Sequence, residues 1–99
     1  MGQREEGREG KVVNCKYENY DVYIGRGSIW GNPYKIGVDG NRKDVIFMCE
    51  KYIRSNHQLL KRINELEGKI LGCHCKPKAC HGDIYIKILN ERKYNVWFE

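Results

Sequence analysis

The stretch from Gly68 to Asp83, GKILGCHCKPKACHGD, holds three of the five cysteines, two of the three histidines and one of the two prolines. Thiols, imidazoles and a carboxylate gathered this closely could run nucleophilic chemistry or hold a soft metal. Cys80 falls at the expected start of a helix, where free amides and the helix dipole stabilise a thiolate. His81 beside it and Asp83 nearby offer a base and a carboxylate to orient it. Cys80, His81 and Asp83 are therefore the candidate catalytic residues. The same helix start could instead hold a phosphate on its amides. The plainer alternatives make Cys73 and Cys80 small buried hydrophobes and His81 a cap.

For metal binding, Cys73, His74, Cys75, Cys80 and His81 offer enough soft ligands for tetrahedral zinc. Their spacing does not match the common ribbons, which separate paired cysteines by two residues and add a distant second pair. On a strand, Cys73 and Cys75 share one face and His74 points away, so the set is expected to converge poorly on one centre. No metal ligand is assigned and no cofactor is expected, zinc being the alternative that the residue types leave open.

Two arginines extend the candidate site. Arg26 lies between glycines just after an expected strand, and Arg42 precedes an expected helix. Both suit bidentate contact with phosphate or carboxylate, against the plainer reading of surface arginines. Between them, Gly25 to Arg42 reads GRGSIWGNPYKIGVDGNR, too rich in glycine for a regular element and long for an idle loop. Trp30 is expected to stack on a base. Arg26, Trp30, Asn32, Arg42 and Cys75 are the candidate ligand-binding residues.

The elements that must position these groups follow from the apolar pattern. Lys69 to Cys73 is a short apolar run between glycines, expected to be a central strand. Lys11 to Cys15 and Asp21 to Ile24 read as two further short strands whose pairing stays open. Asp44 to Arg54 places Val45, Cys49 and Tyr52, with Ile46 and Ile53, on one helical stripe capped by Asn41. A second helix, about His57 to Glu67, buries Leu59, Leu60, Ile63 and Leu66 and ends at Gly68. A third begins at about Cys80 and carries Ile84, Ile88 and Leu89. Residues 1–10 alternate charge and glycine and read as a flexible extension. The end, Lys93 to Glu99, carries Tyr94, Val96, Trp97 and Phe98. It reads as an added edge strand, or as an apolar patch that docks on a partner or makes a homodimer. Residues 11–99 thus form a single α/β domain: a small, at least partly parallel sheet flanked by about three helices.

The totals agree with one domain of 99 residues with a modest core. No apolar run is long enough to span a membrane, and no signal-peptide core opens the chain. A net charge of +5 favours anionic partners, small phosphorylated molecules or nucleic acid, over the alternative of a merely solvated surface. The abundance of Lys, Arg, Glu and Ile looks heat-adapted. An odd number of cysteines without a secretory signal argues against a secreted disulfide scaffold, leaving metal binding, reactive thiols, packing or the disulfides of hyperthermophiles.

The motifs also resemble a known family. Val13-Asn14, Val22-Tyr23-Ile24-Gly25-Arg26, Trp30-Gly31-Asn32-Pro33, Asn41-Arg42, Gly72-Cys73-His74-Cys75 and Cys80-His81-Gly82-Asp83 occur in the order seen in the DUF4326 family, from about Val12 to Asn90. That family occurs in phages and in filamentous and rod-shaped viruses of archaea, and has no established activity. Position 74 is His here where the family often has Trp. The resemblance implies a viral protein in the host cytoplasm, and the heat-adapted composition points to the archaeal branch. Three functions follow as expectations. The first is a pocket for a nucleotide-like or other phosphorylated ligand, with or without catalysis. The others are a nucleic-acid-binding module and a host-interaction protein without a ligand.

Overall fold

The computed structural model describes residues 10–95. Its centre is β3 (Ile70–Cys73), flanked on one side by β1 (Lys11–Asn14) and on the other by β2 (Val22–Tyr23). Both neighbours run parallel to it, so the sheet is parallel throughout. β1 and β2 do not pair with each other: β3 is threaded between them, with Val13 opposite Gly72 on one side and Tyr23 opposite Gly72 on the other. A strand covered on both edges and both faces carries no polar alternation, which is why its short run is apolar. Leu71 is fully buried and Ile70 half-buried.

α1 (Arg42–Arg54) starts on a capping box. The Asn41 side chain accepts from the Asp44 amide, and the Asp44 carboxylate accepts from the Asn41 amide. Val45, Cys49 and Ile53, spaced four apart, are the buried face. α2 (His57–Arg62), capped by Asn56, tightens into a 3-10 turn over Ile63–Leu66 rather than remaining α-helical to Glu67. Gly68, at φ 71°, then turns the chain into β3 in the left-handed conformation that glycine tolerates best.

α3 (Gly82–Asn95) begins two residues later than expected. It takes in Tyr94, so the edge strand expected from Lys93 onward does not begin there; residues 96–99 lie outside the described ones. Gly82 brings the helix start onto the sheet. A Cβ there would stand 2.8 Å from the Ile24 side chain and 2.9 Å from that of Val12. Ile84, Tyr85, Ile88 and Leu89 close the core with Ile24, Ile53, Ile63, Leu66 and Leu71. Removing a buried side chain from such a core costs about 2–5 kcal/mol for Ile or Leu to Ala. Among the described residues no helix is long and apolar enough to cross a membrane.

Candidate functional site

Because β2 and β3 are parallel neighbours, the loops that follow them leave the sheet at the same end. That end, where the carboxyl termini of parallel strands meet helix starts, is the usual place for a ligand crevice. A cleft of about 330 Å³ opens there. Gly25 and Arg26 after β2, Cys73 to Cys75 at the end of β3, Arg42 at the start of α1, and Cys80 and His81 before α3 all line it.

The glycine-rich loop forms one wall through its own hydrogen bonds. Arg26 donates to the carbonyls of Asn32 and Tyr34, both at 3.2 Å. Asn32 accepts from the Tyr34 amide and donates to the Val45 carbonyl, fastening the loop to α1. Arg42 donates to the Ala79 carbonyl at 3.0 Å, joining the start of α1 to the turn before α3. Neither arginine forms an ion pair with a carboxylate among the described residues. Each guanidinium has five donors, so several stay available to a ligand.

Three thiols gather beneath Arg42. The sulfurs of Cys73, Cys75 and Cys80 all lie within 4.8 Å of one another, and those of Cys73 and Cys80 are 3.2 Å apart. The expectation of poor convergence is therefore corrected. β3 ends at Cys73, so Cys75 lies in the turn that follows rather than on the strand. This turn, whose Lys76–Pro77 peptide is cis, folds back so that Cys80 before α3 meets both. All five cysteines are free thiols. Cys75 is held far below the ordinary thiol range, first by the Cys73 thiol, then by that of Cys80, with the Arg42 guanidinium adding. Cys73 is pushed up, chiefly by donating toward Cys75. Cys80 is pushed well above the ordinary thiol range by its bonds to Cys73 and Cys75 and by burial. Cys80 is 2% exposed and Cys75 half-buried, and both line the cleft.

His81 is buried at the cleft and bonds through Nε2 to the Ile24 carbonyl at 2.7 Å. A carbonyl can only accept, so Nε2 carries the proton and Nδ1 remains as the ring's acceptor in the neutral form. Asp83 does not join it. Its carboxylate is paired with Lys76 Nζ at 2.9 Å and accepts from the Cys80 amide, a contact set by its place in the first turn of α3. Trp30 is also placed elsewhere. Its ring is 4% exposed, packed edge-on against Tyr85 at 5.5 Å, and its carbonyl accepts from the Tyr85 hydroxyl. An indole fixed in the core cannot stack on a ligand in the cleft.

The aromatic rings at the cleft are instead those of Tyr23 and Tyr34, with Ile36, Val45 and Ile46 as apolar wall. Sequence reasoning missed Tyr34 because it followed the larger ring of Trp30 in the same loop. The available signal was the proline at position 33, which restricts the turn that carries Tyr34.

The sequence matches the family described as Domain of unknown function (DUF4326) over residues 8–91. The chain belongs to this family. It is 42% identical over 89 residues to a protein of Enterobacteria phage T4 described as an uncharacterized 12.4 kDa protein in the nrdA-td intergenic region. That alignment covers 85% of this chain and 81% of the phage protein, and makes this a phage-related protein. No solved structure matches.

Proposed function

We propose that the cleft binds a phosphorylated, nucleotide-like ligand. Arg26 and Arg42 hold its anionic group, and Tyr34, Ile36 and Ile46 pack against its ring. The observation that carries this reading is the pair of guanidinium groups at one cleft without carboxylate partners among the described residues. Charge-assisted and bidentate bonds from arginine suit phosphate oxygens, and an apolar wall beside them suits a base. Nδ1 of His81 is the acceptor for a donor on the same ligand. A phosphorylated metabolite would place the protein in the host cytoplasm. An archaeal, heat-adapted source is supported by composition alone.

Calorimetric titration with inorganic phosphate and with nucleoside mono-, di- and triphosphates tests the reading. At least one nucleotide should bind more tightly than inorganic phosphate. Arg26→Ala should weaken it by about 1.5–3 kcal/mol, the range for hydrogen bonds to charged groups. The proposal falls if no phosphorylated compound binds. It also falls if a folded Arg26→Ala protein binds as well as the parent. Duplex or single-stranded nucleic acid binding while mononucleotides fail would move the function to a nucleic-acid module.

A further inference from the structure

We infer that Cys73, Cys75 and Cys80 form a three-thiolate site for a thiophilic divalent cation of the zinc class, with the fourth coordination position open to the cleft. This reading rests on the thiol cluster and not on the ligand being phosphorylated.

Three observations support it. The first is convergence. Zinc–sulfur bonds of about 2.3 Å in a tetrahedron put sulfurs about 3.8 Å apart. The three sulfurs here lie within 4.8 Å of one another, so small rotations of the side chains would complete the geometry. The second is a backbone donor that holds one of the sulfurs in place. The Gly82 amide donates to the sulfur of Cys80 at 3.3 Å. Outer donors of this kind orient ligands and spread their charge. Arg42 and Cys75 line the same cleft. The third is charge: three thiolates with one divalent cation leave a single negative charge, which the adjacent Arg42 offsets. Among the described residues no fourth side-chain ligand stands with these three, and all three line the cleft. Three protein ligands plus an open position is the arrangement of catalytic rather than structural zinc.

Binding displaces thiol protons, so an unbuffered solution should acidify as metal is added. The decisive experiment titrates reduced, chelator-stripped protein with cobalt(II) alone. The expected result is saturation at one equivalent, with thiolate-to-cobalt charge-transfer absorption and the visible bands of tetrahedral coordination. Zinc should then bleach them. Cys75→Ser should weaken cobalt binding at least about tenfold, and Cys80→Ser likewise, with circular dichroism reporting the fold of each. Cys15→Ser and Cys49→Ser, which lie outside the cluster, should bind as the parent does. Absence of the charge-transfer band in folded, reduced parent protein overturns the proposal, and so does an unchanged band in folded Cys75→Ser. Arg26→Ala, which leaves every thiol in place, should keep full cobalt binding. Loss of nucleotide binding with retained cobalt binding therefore separates the two readings.

Discussion

Arg42 and Arg54 stand at opposite ends of α1 and meet opposite surroundings. Arg54 is closed into a network: two bonds of 3.0 Å to Glu91 on α3 and one of 2.8 Å to Glu50, which also takes Lys87. Every charge there has a partner, and the network ties α1 to α3 away from the cleft. Arg42 has a carbonyl and the thiol cluster but no carboxylate among the described residues. The two ends of one helix thus place the same side chain in two different surroundings. At one end the carboxylates of Glu50 and Glu91 make arginine a fastener between helices; at the other, Arg42 meets no carboxylate among the described residues and lines the cleft.

The sharpest way to break this contrast is at the cleft. Arg42→Ala should lower affinity for a phosphorylated ligand by about 1.5–3 kcal/mol, read by calorimetry. Melting should change little, since the bond to the Ala79 carbonyl lies near the surface. Equal affinity in the variant would show that Arg42 is not at a ligand. The converse substitution is Arg54→Ala. Because these side chains are 39% and 43% exposed, the Arg54–Glu91 pair should contribute only about 0.2–1 kcal/mol of stability, with no effect on ligand affinity. Denaturant unfolding at low and high salt checks it, the difference shrinking as salt rises.

The same network predicts an acid limb. Hydrogen bonds from Arg54 hold both Glu50 and Glu91 below the ordinary glutamate value of 4.5. A carboxylate depressed in the folded state stabilises fully above the unfolded value and loses that contribution as pH falls through the folded one. Thermal unfolding should therefore be flat above about pH 5.5 and decline below the ordinary glutamate range. In Arg54→Ala that decline should be shallower; parallel acid limbs in parent and variant would remove the network as its cause. The smallest effect expected is none at all. Burial pushes Cys49 up to about 12, so iodoacetamide at neutral pH should leave it unmodified in the folded protein. Modification of Cys49, mapped by peptide mass, would show that the α1 core opens far more than its packing implies.

What the sequence by itself determined was local. The capping pair Asn41 and Asp44, the four-residue spacing of Val45, Cys49 and Ile53, and the glycine at position 68 are set by contacts within a turn or two. The central strand followed the same way from its unbroken apolar run, and its parallel neighbours put Arg26, Arg42 and His81 at one cleft. Side-chain direction was not legible, because it depends on partners far along the chain. Trp30 turns inward because Tyr85, 55 positions away, supplies both an edge-on ring and a hydroxyl donor. Asp83 turns toward Lys76 because that cation and the Cys80 amide lie within its reach. Spacing along the chain argued against a shared centre for Cys73, Cys75 and Cys80. Only the turn between β3 and α3 brings the third sulfur back onto the other two.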